Sequence, residues 1–207
     1  MNNSFYAKYG KRLIDIAVSG VLIVGLSPIG LVVCALIKLT SSGPCFYRQQ
    51  RVGLHEQPFG LLKFRTMTVS DTRNTSQTLP GDSGITPVGQ VLRRTKIDES
   101  AQLLNVLLGH MSLVGPRPCL PNLLEKMDEQ SRQRFSVRPG LSGLAQVNGN
   151  IYLDWPARWQ FDCRYARELS LFMDIGILYK TVLVVILGEK ALLTKKTPSS
   201  EDKSDPS

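Results

Sequence analysis

The longest apolar stretch of the chain lies near its N-terminus, at residues 16–39. At about 1.5 Å of rise per residue, a helix of this length is about 36 Å long, enough to cross the apolar core of a bilayer. Pro28 lies in its middle, where proline removes a backbone donor and clashes with the carbonyl one turn earlier. The hydroxyl of Ser27 can satisfy that freed carbonyl. We therefore expect a membrane helix that is broken at Ser27-Pro28 into two half-helices.

Basic residues flank this apolar segment on both sides. Those before it are Lys8, Lys11 and Arg12, and those at its end or after it are Lys38, Arg48 and Arg51. A straight span would place one basic flank outside the cell, whereas a re-entrant helix keeps both flanks in the cytoplasm, where basic residues tend to stay. The pattern therefore favours a re-entrant helix over a simple spanning helix with a tolerated proline. A cleaved signal peptide is disfavoured, because no cleavage site with small residues follows.

Shorter patterns follow this helix. A turn at 41–44 precedes two runs with the length of strands, at 45–53 and 58–67. Residues 70–89 are rich in Thr, Ser, Asp, Gly and Pro and have no helical period, which predicts a loop able to close over a substrate. Helical patterns appear at 99–108, 121–135 and 155–166. The predicted fold class is α+β, mostly helical with a small β element.

A second apolar segment covers residues 169–187, but it contains Asp174 and Lys180. Charged groups are costly in the middle of a bilayer unless they are paired, so an amphipathic helix at the membrane interface or in the core is favoured over a second span. The C-terminal tail is polar, lacks apolar anchors and is expected to be disordered. The expected organisation is a membrane helix at 1–40, a cytoplasmic domain on the membrane face at 41–188 and a tail at 189–207.

Composition narrows the class of protein. The chain has 207 residues, of which 43% are hydrophobic, and this suffices for one main folded domain. The formal net charge of +8 indicates an anionic partner, which can be nucleic acid, a phospholipid surface or a phosphorylated substrate. Nucleic acid is disfavoured, because neither a basic strand interleaved with aromatic residues nor a helix-turn-helix pattern is present. The four cysteines and two histidines lack zinc-site spacing, so no structural metal is expected.

Two neighbouring carboxylates, Asp98 and Glu99, follow a basic run that includes Arg93, Arg94 and Lys96. They precede an apolar helical pattern and so lie at an apparent helix start, where backbone N–H groups and arginines can hold an anionic substrate. The simpler explanation is helix capping, since such residues commonly satisfy unpaired N–H groups at a helix start. The pair is a candidate reaction centre for phosphate chemistry.

Four further segments couple a rigid or closely approaching backbone to polar side chains. They are residues 63–67, 111–118, 138–143 and 145–149. In the second of them, a proline on each side of Arg117 fixes the local backbone and limits where its guanidinium can point. A pre-positioned guanidinium suits bidentate binding of a phosphate better than a lysine would.

The order of these segments, with Lys11-Arg12-Leu13-Ile14-Asp15 and the Ser27-Pro28 step before them, closely resembles the bacterial sugar transferase family. This is the family of monotopic phosphoglycosyl transferases that act on polyprenol phosphate, and the resemblance is to its small, single-domain members. It implies a catalytic domain on the cytoplasmic face of the bacterial inner membrane. The implied reaction moves a sugar phosphate from a UDP-sugar to undecaprenyl phosphate with release of UMP, as the first membrane step of glycoconjugate synthesis.

The resemblance also implies distinct roles for the two carboxylates. Asp98 matches the family nucleophile, which would hold the sugar phosphate as an acyl phosphate. Glu99 matches the second carboxylate, which would help to hold Mg²⁺ or would deprotonate the acceptor phosphate. Asp98 and Glu99 are therefore the expected ligands of Mg²⁺, which would offset the repulsion between a carboxylate and a diphosphate.

Four basic residues are expected to bind phosphate, first Arg93 and Arg117 and then Lys63 and Arg65. Each has a simpler alternative. Arg93 could instead meet lipid headgroups, and Arg117 could serve as a structural clamp. Lys63 and Arg65 could form a solvated face of a strand.

The last segment of the pattern contains Gln146 and Asn148, which are expected either to bind nucleotide or simply to close a turn. The chain departs from the family pattern nearby, with Leu144 where Trp is usual and Asn150 where Arg is often found. The identity of the sugar is therefore left open. The alternative class of protein is a basic, membrane-anchored module that binds anionic lipid or nucleic acid without turnover.

Overall fold

The computed structural model describes residues 4–68 and 84–187. Its α-helices are α1 (Lys11–Thr40), α2 (Pro87–Thr95), α3 (Gln102–Leu107), α4 (Glu129–Arg132), α5 (Trp155–Glu168) and α6 (Leu171–Leu187). Its strands are β1 (Phe46–Val52), β2 (Pro58–Phe64), β3 (Ser112–Val114) and β4 (Gly140–Ser142). The fold is mostly helical with small sheets, as predicted. The expected tail at 189–207 and residues 70–83 of the expected loop lie outside the described residues, and the last residues of that expected loop instead begin α2.

The N-terminal helix is continuous. A π-helical turn at Tyr6–Gly10 leads into α1, which contains Pro28. Within the described residues, Tyr6–Thr40 is the one helix long and apolar enough to cross a membrane. The predicted break into two half-helices at Ser27-Pro28 is wrong. The proline removes a single donor, and the Ser27 hydroxyl replaces it by donating to the Val24 carbonyl at 2.8 Å, as predicted, so the helix continues.

One face of α1 packs against the remainder of the protein near both of its ends. Lys11, Asp15 and Ser19 are buried near its start, and Val33 and Ile37 are buried near its end. The carboxylate of Asp15 accepts hydrogen bonds from the Ser112 hydroxyl and from the backbone N–H of Leu113, both in β3. The opposite face exposes large apolar side chains: Leu13, Ile16, Val21, Val24, Leu31, Val32 and Leu39.

The first sheet is an antiparallel hairpin of β1 and β2, in which Phe46 lies opposite Phe64. It confirms the two strands predicted at 45–53 and 58–67. The second sheet is a parallel pair of β3 and β4. These strands approach so closely that a Cβ on Gly140 would lie 2.1 Å from the backbone nitrogen of Gly115. The sequence predicted no strands here, because strands of three residues are too short to show an alternating pattern.

Two of the predicted helices are divided in the structure. The pattern at 121–135 is a 3₁₀ helix at Pro121–Lys126, then α4, then a 3₁₀ helix at Gln133–Ser136. Asp128 starts α4 by accepting a hydrogen bond from the N–H of Ser131, and this local bond competes with one long helix. The pattern at 99–108 is a 3₁₀ helix at Ile97–Ala101 followed by α3. The helices predicted at 155–166 and 169–187 are confirmed as α5 and α6.

Asp174 makes α6 an anchor for the N-terminal helix. Its carboxylate is buried and accepts hydrogen bonds from the Tyr6 hydroxyl at 2.6 Å, from Lys11 Nζ at 2.6 Å and from the Tyr165 hydroxyl at 2.7 Å. The sequence showed that Asp174 needs a partner in so apolar a segment, and the structure supplies three. The main apolar core lies beside this network, where Val106 and Tyr165 have no measurable exposure.

Candidate active site

A left-handed turn places the two carboxylates. α2 ends at Thr95, and Lys96, with a φ of 60°, turns the chain into the 3₁₀ helix at Ile97–Ala101. Asp98 and Glu99 lie in the first turn of this helix, which has no side-chain cap. Helix capping, the simpler explanation of the pair, is therefore wrong. Arg93 and Arg94, which precede the pair in the sequence, lie in the last turn of α2.

Glu99 joins residues from three parts of the chain. Its Oε1 accepts hydrogen bonds from Lys63 Nζ at 2.8 Å and from Arg117 Nη2 at 3.1 Å. Lys63 lies in β2, and Arg117 lies in the loop after β3. Burial alone would raise the pKa of Glu99, but Arg117 and Lys63 outweigh burial and hold this pKa well below its usual range. Glu99 is therefore an anion at neutral pH. The structure brings three of the predicted site residues together here, Lys63, Glu99 and Arg117.

Asp98 has a different environment from its neighbour. It is 6% exposed, and its Oδ1 has no hydrogen-bond partner among the residues that the structure describes. Burial raises the pKa of Asp98; Lys63 opposes this effect and Glu99 adds to it. A buried carboxylate oxygen without a donor is poorly solvated, so its lone pairs are available to attack phosphorus or to bind a cation.

Arg93 contacts the side chain of Thr66, and Arg65 precedes Thr66 in the chain. Arg93 Nε donates to the Thr66 hydroxyl at 2.9 Å. Arg65 is 3% exposed, and its Nη2 donates to the carbonyl and the hydroxyl of Ser41 at the end of α1. Arg65 thereby connects the end of α1 to the end of β2, and a solvated strand face is the wrong description of it. Phosphate binding by Arg93 and Arg65 stays a prediction.

The polar side chains of the last segment close a turn. Gln146 and Asn148 lie in the 3₁₀ helix after β4, where Gln146 Nε2 donates to the Leu141 carbonyl at 3.0 Å and Asn148 Nδ2 donates to the Leu144 carbonyl at 2.7 Å. Both amides therefore close local turns. The buried Oε1 of Gln146 lacks a partner in the described part of the chain, and nucleotide binding here stays a prediction.

Two arginines that the sequence analysis did not assign to the site support the loop of Arg117. Arg51 Nη1 donates to the Pro118 carbonyl at 3.1 Å. Arg134 Nη2 donates to the Arg117 carbonyl at 2.6 Å and lies 2.8 Å from a carboxylate oxygen of Asp162. Burial lowers the pKa of Arg51 to about 10, so Arg51 is charged at neutral pH. The prolines on each side of Arg117 predicted a fixed loop. No local sequence pattern indicates that Arg51 and Arg134 bind to this loop.

The donor set at the carboxylate pair fits a magnesium ion. Mg²⁺ is usually bound through one or two carboxylates, with water and substrate phosphates completing its shell. Asp98 and Glu99 are adjacent, and the Oδ1 of Asp98 receives no hydrogen bond from any described residue. No group of three or more His, Cys, Asp or Glu side chains able to hold a metal occurs within residues 4–68 and 84–187. A metal ion at this pair would therefore need water or substrate oxygens as its remaining ligands.

Comparisons with known proteins identify the family of the chain. The model of the family described as bacterial sugar transferase matches residues 6–188. The uncharacterized sugar transferase EpsL of Bacillus subtilis (strain 168) is 41% identical, over 86% of this chain and 88% of its own length. The exopolysaccharide production protein ExoY of Sinorhizobium fredii (strain NBRC 101917 / NGR234) is 36% identical, over 86% of each chain.

A larger relative is named for its substrates. The UDP-glucose:undecaprenyl-phosphate glucose-1-phosphate transferase of Klebsiella pneumoniae is 37% identical over 87% of this chain, which corresponds to 41% of its own length. The residues matched by the family model include all those of the candidate site. The chain belongs to the bacterial sugar transferase family.

Proposed function

We propose that this sugar transferase moves a sugar phosphate from a UDP-sugar to undecaprenyl phosphate and releases UMP. The carboxylate pair carries the proposal. Asp98 offers a buried oxygen that has no donor among the described residues, and Glu99 beside it is held by Lys63 and Arg117. Relatives whose names specify UDP-glucose and undecaprenyl phosphate support these substrate classes.

In the first half-reaction, a carboxylate oxygen of Asp98 attacks the β-phosphorus of the UDP-sugar. The bond from this phosphorus to the bridging oxygen breaks, UMP leaves with the electron pair, and the sugar phosphate is held as an acyl phosphate. The approach of a carboxylate to a diphosphate is repulsive. Lys63 and Arg117, which are fixed at Glu99, place positive charge beside the reacting group and stabilise the charge that develops on it.

In the second half-reaction, an oxygen of undecaprenyl phosphate attacks the same phosphorus. The bond to Asp98 breaks, and the products are the free carboxylate and undecaprenyl diphosphate sugar. Glu99 would be a poor general base, because its pKa lies well below the range of a group that accepts protons at neutral pH. We therefore assign Glu99 to binding. Mg²⁺ held by Asp98 and Glu99 would supply positive charge to the phosphate oxygens.

We also propose that α1 enters the membrane with both of its ends on the cytoplasmic side. Lys11 and Asp15 near its start and Val33 and Ile37 near its end are buried by the same domain. A helix that crossed the bilayer would carry one end away from that domain by about 30 Å. In a variant without native cysteines, Asn3→Cys should react with a membrane-impermeant maleimide only from the cytoplasmic side. Labelling from the periplasmic side would refute this topology.

The experiment for the function is a UMP-release screen with undecaprenyl phosphate, Mg²⁺ and a panel of UDP-sugars. We expect the protein to release UMP with at least one of them and Asp98→Asn to abolish release. Asp154→Asn is the matched control, because Asp154 is an exposed helix cap that Asn replaces well. Release at a near-normal rate by Asp98→Asn would disprove the role of Asp98 as nucleophile, and no release by the unchanged protein on any UDP-sugar would disprove the proposed function.

A further inference from the structure

A buried ion pair lies against the loop that carries Arg117. Arg134, from the 3₁₀ helix at Gln133–Ser136, and Asp162, from α5, are 4% and 3% exposed. Arg134 Nη2 and Asp162 Oδ2 are 2.8 Å apart. Removing two charges from water costs about as much as their attraction returns, so a buried pair is weak evidence of a role in stability.

The same nitrogen of Arg134 also holds the main chain of Arg117. Arg134 Nη2 donates to the Arg117 carbonyl at 2.6 Å. A hydrogen bond from a charged donor is short and roughly twice as strong as a neutral one. Pro116 and Pro118 restrict the backbone on each side, and Arg51 holds the Pro118 carbonyl. The backbone is therefore fixed at the residue whose side chain reaches Glu99.

We propose that the Arg134–Asp162 pair positions Arg117 for sugar-phosphate transfer. Asp162 fixes the guanidinium of Arg134, and Arg134 fixes the carbonyl of Arg117, so that the Arg117 side chain is directed at the diphosphate of the UDP-sugar. This inference rests on the proposed function. Arg134 and Asp162 are positioning residues, since they act on the loop and on each other and would not touch the reacting atoms.

The main test removes both charges together. Losing one partner would leave the other charge buried and unpaired, whereas apolar side chains of similar volume often replace a buried pair without loss of stability. R134M/D162L should therefore fold, yet it lacks the hydrogen bond to the Arg117 carbonyl. We expect kcat/KM for UMP release to fall about tenfold to a hundredfold, the effect of small misplacements near reacting groups. Arg132→Met, which removes a half-exposed arginine paired with Glu56, is the control and should leave kcat/KM unchanged.

A double-mutant cycle separates positioning from general packing. If the pair acts through Arg117, R134M/D162L lowers kcat/KM in the unchanged protein but causes no further loss in an Arg117→Ala background. Arg134→Lys, which keeps Asp162 paired, serves as a second variant if the double replacement fails to fold. It should lower kcat/KM several-fold in the presence of Arg117 and not in its absence.

The outcomes distinguish the two proposals. Equal losses in both backgrounds, unchanged kcat/KM in R134M/D162L, or an Arg117→Ala variant as active as the unchanged protein would each overturn the positioning role while the proposed function stands. If the unchanged protein releases no UMP from any UDP-sugar, the proposed function fails, and the positioning role fails with it.

Discussion

Replacing Asp174 with Asn tests how the N-terminal helix is fastened to the protein. The change keeps the size of the side chain but removes the charge that faces Lys11, which is 9% exposed. Removing one partner of a buried ion pair costs about 3–5 kcal/mol, because the other charge is left buried. The amide oxygen of Asn can still accept a hydrogen bond from Tyr6, Lys11 or Tyr165, so we expect the lower end, about 3 kcal/mol.

Thermal unfolding in detergent, followed by circular dichroism, measures this cost. For a protein of this size, 1 kcal/mol lowers the Tm by about 2–4 °C, so Asp174→Asn should unfold about 6–12 °C below the unchanged protein. Glu168→Gln is the control. It removes the pair with Arg164, in which both side chains are about half exposed, and such pairs contribute little. If the two variants have the same Tm, the reasoning that the Asp174 network anchors α1 is refuted.

Three further predictions concern the site and the fold. The folded pKa of Glu99 lies below its unfolded value of about 4.3, so its contribution to stability is present above that pH and lost as the pH falls. The difference in unfolding free energy between the unchanged protein and Glu99→Gln should therefore shrink in acid; a growing difference would contradict this. Lys63 lowers the pKa of Asp98, so Lys63→Met should move the acid limb of the UMP-release profile to higher pH, and an unmoved limb would refute that coupling. Gly140→Ala should cost about 1–3 kcal/mol in denaturant unfolding, because its Cβ would overlap a strand, whereas Gly20→Ala, with open space around it, should not destabilise. Equal costs would show that the β3–β4 contact is not tight.

The long N-terminal helix α1 shows what a local pattern predicts well. An apolar run of this length and the hydroxyl beside a proline were enough to predict the helix and the hydrogen bond of Ser27 to the Val24 carbonyl. The predicted break was wrong, because a proline removes one donor and a single hydroxyl can satisfy the carbonyl that it leaves free. Whether the helix continues depends on whether the hydroxyl replaces the lost donor in the folded protein, and the sequence pattern does not show this.

The site shows what a local pattern does not predict. Lys63, Glu99 and Arg117 were each selected from their own segment, but their meeting at one carboxylate depends on the packing of β2, a 3₁₀ helix and a loop. The family resemblance, not the periodicity, linked them. The pairing of Arg134 with Asp162 had no sequence signal, since two residues far apart in the chain become partners only through tertiary packing.

The central claim is that Asp98 becomes covalently attached to the sugar phosphate. The direct measurement is intact-protein mass spectrometry after brief incubation with a UDP-sugar that supports UMP release, with Mg²⁺ and without undecaprenyl phosphate. We predict a mass increase of one sugar phosphate, located on the peptide that contains Asp98, which disappears when undecaprenyl phosphate is added. The adduct should form on Asp154→Asn and not on Asp98→Asn. An adduct that persists in Asp98→Asn, or its absence from protein that releases UMP, would contradict the account.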